Sequence, residues 1–137
     1  SYQQFLNAYV AFSQGDVDTA GTAIESVNPD YLDGEARTAY DTIKGQIDAQ
    51  YLQSVYAEGE KAYNSGDYKT AVEDLRKVVD TDETFADGDA VYFLAQSYRK
   101  NGDNENAKIY YQKMVDQYPG TKREANSQNY LNELNAQ

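Results

Sequence analysis

Five carboxylates crowd one short stretch of the chain: Asp80, Asp82, Glu83, Asp87 and Asp89. Oxygen-rich loops of this kind are what calcium takes, but the spacing lacks the glycine at the sixth loop position and the glutamate at the twelfth that an EF-hand requires. The simpler expectation is a loop whose acids favour the N-terminus of the following helix. Paired carboxylates could also hydrolyse glycosides, yet no pair is singled out among the 23 acids. Histidine is absent, so the usual general base and transition-metal ligand are missing; cysteine is absent too, which excludes disulfides and thiolate metal sites. Gly-Asp dipeptides recur, but as turn chemistry rather than as a phosphate cradle. These residues lead us to expect no catalysis, no cofactor and no metal.

The remaining chemistry is that of contact surfaces. Fourteen of the 18 aromatic residues are tyrosine, and tryptophan is absent. Tyrosine pairs an apolar body with a polar tip, which suits half-buried positions and interfaces. The net charge of −11 is uneven: residues 1–68 carry 11 acids and 3 bases, and residues 69–137 carry 12 acids and 9 bases. A chain this acidic is repelled by phosphate backbones and anionic lipid, so nucleic acid is not expected as a partner. No apolar run approaches the ~20 residues needed to span a bilayer, so no membrane insertion of this segment is expected. A length of 137 residues suits one domain able to bury a core without staples.

The elements that must position these surfaces are legible from an internal repeat. Gly15-Asp16, Gly66-Asp67 and Gly102-Asp103 share their surroundings. A small residue precedes each glycine by seven (Ala8, Gly59, Ala95), and an alanine follows by five (Ala20, Ala71, Ala107). Apolar residues follow by nine (Ile24, Leu75, Tyr111) and by twelve (Val27, Val78, Met114). This is the pattern of a helical hairpin. The first helix ends on a left-handed glycine, the second starts behind an aspartate, and the small residues let the two axes approach. A single hairpin cannot bury its apolar face, whereas stacked hairpins can. Seven helices are expected, at about 2–14, 17–27, 34–64, 68–80, 87–101, 104–117 and 121–135. The third is long because Ala36, Tyr40, Ile43, Ile47, Tyr51, Val55, Gly59 and Ala62 continue one stripe without a phase break. Such a helix would measure about 46 Å, with Gly45 its weakest point.

Residues 88–121 resemble a tetratricopeptide repeat (TPR) through Leu94, Ala95, Tyr98, Gly102, Ala107, Tyr111 and Pro119. Residues 52–85 are a second copy, with Glu58 where leucine is usual and Glu83 where proline is usual. Residues 1–34 are a weaker first copy, keeping Ala8, Gly15, Ala20 and Val27 but placing Gln4 and Asn7 at usually apolar positions. The resemblance implies an all-α fold, a right-handed superhelix of antiparallel hairpins forming one domain over 1–137 and closed by a capping helix at 121–135. Ala125, Leu131 and Leu134 would form that cap's apolar side, with Asn126, Gln128, Asn129 and Asn132 facing solvent.

In that family the first helix of each hairpin presents ligand-holding side chains on the concave side. The resemblance thereby implies a protein- or peptide-binding role for Asp89, Tyr92, Gln96, Arg99 and Lys100 in the third copy. The same role falls to Gln53, Tyr56, Glu60, Tyr63 and Asn64 in the second copy, and to Tyr2, Phe5, Tyr9 and Phe12 in the first. Arg99 and Lys100 would meet an acidic end of the ligand. The clamp that grips chaperone C-termini needs lysine and asparagine at places that here hold tyrosine, glutamine and glutamate, so that ligand is not favoured. Helix one is apolar all round: Leu6 and Val10 point one way, while Tyr2, Phe5, Tyr9 and Phe12 form a second row. That row would pack on a second copy of the chain, on a partner, on a helix upstream, or on the long third helix. Self-association as a structural spacer is the alternative role.

The run Ala90-Val91-Tyr92-Phe93-Leu94-Ala95 is further similar to bacterial cell-envelope tetratricopeptide proteins of the Tol–Pal-associated and outer-membrane-assembly types. So are Gly102-Asp103 with Ala107, and Tyr118-Pro119-Gly120-Thr121 followed by Ala125 and Leu131. This likeness implies an extracytoplasmic scaffold, membrane-anchored through a segment upstream of Ser1, with a cytoplasmic setting as the alternative.

Overall fold

A computed structural model of the chain describes residues 2–137. Among the described residues the fold is all helical, with seven α-helices: α1 (Tyr2–Ser13), α2 (Val17–Glu25), α3 (Gly34–Asn64), α4 (Tyr68–Thr81), α5 (Asp89–Lys100), α6 (Asn104–Gln117) and α7 (Lys122–Asn135). The helices group into two compact units, Ser1–Ser54 and Val55–Gln137. Helix α3 runs unbroken through Gly45. Gly45 faces open space, so the missing side chain removes no packing there.

The repeat seen in the sequence is a repeat of hydrogen bonds. The amides of Gly15, Gly66 and Gly102 donate to the carbonyls of Phe12, Tyr63 and Arg99 at 3.0, 3.1 and 3.1 Å. The amides of Asp16, Asp67 and Asp103 donate to Ala11, Ala62 and Tyr98, each at 2.9 Å. These paired bonds satisfy the last carbonyls of one helix and need a left-handed residue at the corner; the three glycines supply it at φ +78°, +85° and +84°. The following aspartate then turns its carboxylate to the next helix, accepting from the amides of Thr19, Thr70 and Asn106 at 3.1, 3.2 and 3.2 Å. One dipeptide therefore stops a helix and starts another.

In the first unit α1 packs on α2, and both bury against the first part of α3. Phe5, Ala8, Ala11, Ala20, Ile24, Val27, Tyr40 and Ile47 form its core. Gly21 lies against the Tyr51 ring, where a methyl would sit 3.0 Å from Cδ2. In the second unit α5 is the central helix, packed against α4 and α6, and only Phe93 interrupts the buried run from Ala90 to Tyr98. A methyl on Gly59 would come within 3.0 Å of the Leu75 side chain, which is why a small residue recurs before each corner. All twelve positions of the sequence pattern are buried.

Two expectations need correction. Helix α1, apolar all round in the sequence, is not buried all round: Val10 is 50 % exposed, because the buried stripe is Phe5, Ala8 and Ala11. On α7 the buried stripe is Ser127, Leu131 and Leu134, and Ala125 is exposed. The segment before α5 also differs from a plain helix start. Ala86, Asp87 and Gly88 all take left-handed backbone, at φ 55°, 54° and 90°. Helix α5 accordingly begins at Asp89.

Candidate functional site

The acid-rich stretch 80–89 disperses its charge onto separate partners. Asp80 accepts from Arg76 at 3.0 Å, Asp82 from the Thr84 amide at 3.0 Å, Glu83 from Lys113 at 2.8 Å, and Asp89 pairs with Arg123 at 2.8 Å. Among the described residues no group of acids converges where a metal ion could sit.

The aromatic and basic candidates of the second unit do converge. Helices α3 (from residue 55), α5 and α7 place their side chains on one connected network. Tyr56 packs on Phe85 with ring centroids 5.2 Å apart, and Tyr63 on Phe93 at 5.4 Å and Tyr68 at 5.7 Å. Tyr92 meets Phe93 and Tyr111 edge-on at 5.7 and 6.4 Å, and Tyr111 stacks on Tyr130 at 5.2 Å. Cations cover these rings. Arg123 lies 4.6 Å over Tyr92 and 4.9 Å over Phe93, and Lys100 lies 5.0 Å over Tyr63 and 5.5 Å over Tyr68. Arg99 lies 4.2 Å over Tyr130. Contacts of this kind strengthen as water is excluded.

Electrostatics follow from this packing. Burial pushes the Tyr56 phenol up to about 12, and the charges of Glu60 and Asp89 add to the shift. Burial raises Tyr111 and Tyr92 as well. The hydrogen bond to Tyr63 holds Lys100 protonated above its ordinary range. Burial disfavours the charge of Arg99, but the Tyr111 hydroxyl, which accepts from its Nε at 3.0 Å, and the neighbouring phenols more than offset that. Gln96 completes the arrangement: its side-chain oxygen accepts from Arg99 Nη2 at 3.4 Å and from the Tyr111 hydroxyl.

Tyr92 and Gln96, expected off the core stripe as contact residues, are instead buried, at 5 % and 7 % exposure. The reason is α7, whose Arg123 covers Tyr92 and whose Asn126 hydrogen-bonds its hydroxyl. Arg99, Asp89, Tyr56, Glu60 and Tyr63 are half-buried, and Lys100 and Asn64 are exposed. Gln53 is exposed on the part of α3 that belongs to the first unit. There the aromatic row of α1 divides. Phe5 is buried 6.3 Å from the Tyr40 ring, so it packs on the long third helix, and Phe12 is half-buried. Tyr2 and Tyr9 remain exposed, at 58 % and 51 %.

Sequence reasoning missed Arg123, Asn126 and Tyr130 by reading the polar positions of α7 as a solvent-facing cap. The signal was present: these residues lie one 34-residue repeat beyond Asp89, Tyr92 and Gln96. Helix α7 thus stands where the first helix of a further hairpin would stand. A search of curated proteins finds no match to the chain. The family model described as tetratricopeptide repeat matches residues 56–121, the two hairpins built from the end of α3 through α6. Over residues 56–121 the chain is thus similar to the tetratricopeptide repeat family.

Proposed function

We propose that the chain is a non-catalytic binding module that holds a segment of another protein along the face formed by the end of α3, α5 and α7. Arg99 is the observation that carries this reading. It is a half-buried guanidinium in a chain of net charge −11, yet among the described residues neither it nor Lys100 has a carboxylate within 4.0 Å. Five other cationic side chains do, Arg123 on the same face included. A guanidinium fixed by Tyr111, Gln96 and Tyr130 is preorganised to receive an acidic group. Tyr63 and Tyr56 offer aromatic contact beside it, and Glu60 sets the charge pattern along the ligand. Tyrosine and arginine are the types that carry binding energy in protein interfaces.

The test is affinity capture from extract of the source organism, comparing wild type with an Arg99→Gln, Lys100→Gln double variant of unchanged helicity. Partners retained by wild type and lost by the variant support the reading, and an unchanged partner set overturns it.

For the setting we propose a scaffold or adaptor role in a bacterial cell-envelope complex. The support is the run Ala90–Ala95 together with Tyr118-Pro119-Gly120-Thr121. Fractionation of source cells tests it: recovery with the envelope supports the assignment, and recovery in the cytosol overturns it.

A further inference from the structure

The first unit lies outside the matched repeats and carries a separate surface. Of the five large apolar side chains exposed among the described residues, Tyr2, Tyr9, Val10 and Tyr31 belong to this unit, and only Ile109 does not. Concentration of this kind marks interaction surfaces. Tyr9 forms one wall of an open groove of about 660 Å3, and Gly34, Glu35, Thr38, Ala39, Thr42 and Ile43 of α3 form the other. The α3 wall is low because its side chains at successive turns are small. Tyr2 stands two turns before Tyr9 on the same stripe of α1 and extends the aromatic wall.

Charge selects what could fill the groove. Residues 1–54 hold eight acids and two bases. Both bases are already engaged within the unit: Arg37 with Asp41 at 3.4 Å and Asp30 at 3.9 Å, and Lys44 with Asp48 at 2.7 Å. Glu35 sits on the groove wall itself. A second copy of this chain would set −11 against −11, and anionic lipid or nucleic acid would be repelled in the same way. An apolar trough walled in part by Glu35, in a unit with an excess of acids and both its bases paired, matches a helix that is apolar on one stripe and basic on its flanks.

We propose that the groove between α1 and the start of α3 receives a positively charged amphipathic helix of a partner protein. The apolar stripe rests between Tyr9 and Ile43, and flanking lysine or arginine side chains reach Glu35 and the surrounding acids. This surface is distinct from the Arg99 face, which takes a segment of the opposite charge.

The full chain is titrated by calorimetry with a synthetic amphipathic helix of leucine and lysine, and with a scrambled peptide of the same composition. The expected result is saturable binding of the amphipathic peptide that weakens as salt rises. Thr42→Trp fills the groove from an exposed position and is expected to weaken binding at least about tenfold. Arg99→Gln with Lys100→Gln leaves it unchanged, which separates this proposal from the preceding one. Equal binding of the scrambled peptide, or full binding by Thr42→Trp, overturns the proposal. So does a dimer of the chain, seen by sedimentation, that Thr42→Trp breaks, because the occupant is then a second copy. Should Thr42→Trp lose its helicity, amide shifts of the wild-type chain decide: peptide-induced shifts centred on Tyr9 and residues 34–43 support the groove, and shifts centred elsewhere overturn it.

Discussion

The guanidinium of Arg99 lies 4.2 Å over the ring of Tyr130, joining the last turn of α5 to the middle of α7. The hydrogen-bond partners of that guanidinium are Tyr111 and Gln96, so Tyr130 is what α7 contributes to holding it. Tyr130 also stacks on Tyr111 at 5.2 Å. Tyr130→Ala removes one cation–π contact and one aromatic pair, and is expected to cost about 2 kcal/mol. Urea unfolding checks this, with loss of α7 protection in amide exchange as the local signature. A change within experimental error would mean that α7 is held by Leu131 and Leu134 alone.

Gly88 combines two demands, a left-handed backbone at φ 90° and contact with the Tyr118 ring, where a methyl would sit 2.6 Å from Cζ. Gly88→Ala is expected to destabilise the chain by at least about 2 kcal/mol, from backbone strain plus steric overlap. Ala86 has the same left-handed backbone at φ 55° and is exposed. Ala86→Gly is therefore expected to stabilise by about 0.4–1 kcal/mol. Paired thermal melts test both, and destabilisation by Ala86→Gly would count against the left-handed turn.

Ser127 is fully buried on α7, and its hydroxyl has no hydrogen-bond partner among the described residues. A buried hydroxyl without a partner carries a desolvation cost that an alanine methyl does not. Ser127→Ala should leave stability unchanged or raise it by up to about 1 kcal/mol. A loss of that size in chemical denaturation would show that the hydroxyl is satisfied in solution.

The buried phenols make the chain sensitive to alkali. Burial raises Tyr56 to about 12, and is the first cause of the upward shifts of Tyr92, Tyr110, Tyr111 and Tyr118. In the unfolded chain these groups ionise near about 10. Above that pH the unfolded state binds fewer protons than the folded one, so stability falls as pH rises from about 10 toward 12. Tyrosinate absorbance and helical ellipticity followed together should show a late step of ionisation that coincides with loss of helix. Ionisation of every tyrosine in one wave with the helix intact would contradict the burial.

Much of this molecule was decided locally. The Gly-Asp corners carry their own instructions, because a left-handed glycine and a capping carboxylate act within a few residues of themselves. The small and large positions around them follow helical spacing, and all twelve are buried as the pattern required. The seven helices and the unbroken α3 were legible for the same reason. Which side chains remain available to a partner was not legible, because burial on a helix depends on what packs against it from elsewhere in the chain. Tyr92 and Gln96 stand at positions where the resemblance led us to expect ligand contact, and they become interior because α7, one repeat further on, lays Arg123 and Asn126 against Tyr92 and Tyr130 against Tyr111. Phe5 and Tyr9 share one aromatic row in the sequence. Packing on α3 separates them, burying Phe5 against Tyr40 and leaving Tyr9 to line an open groove. Short-range hydrogen bonding and periodicity set the helices, whereas long-range contact chose which faces were left exposed.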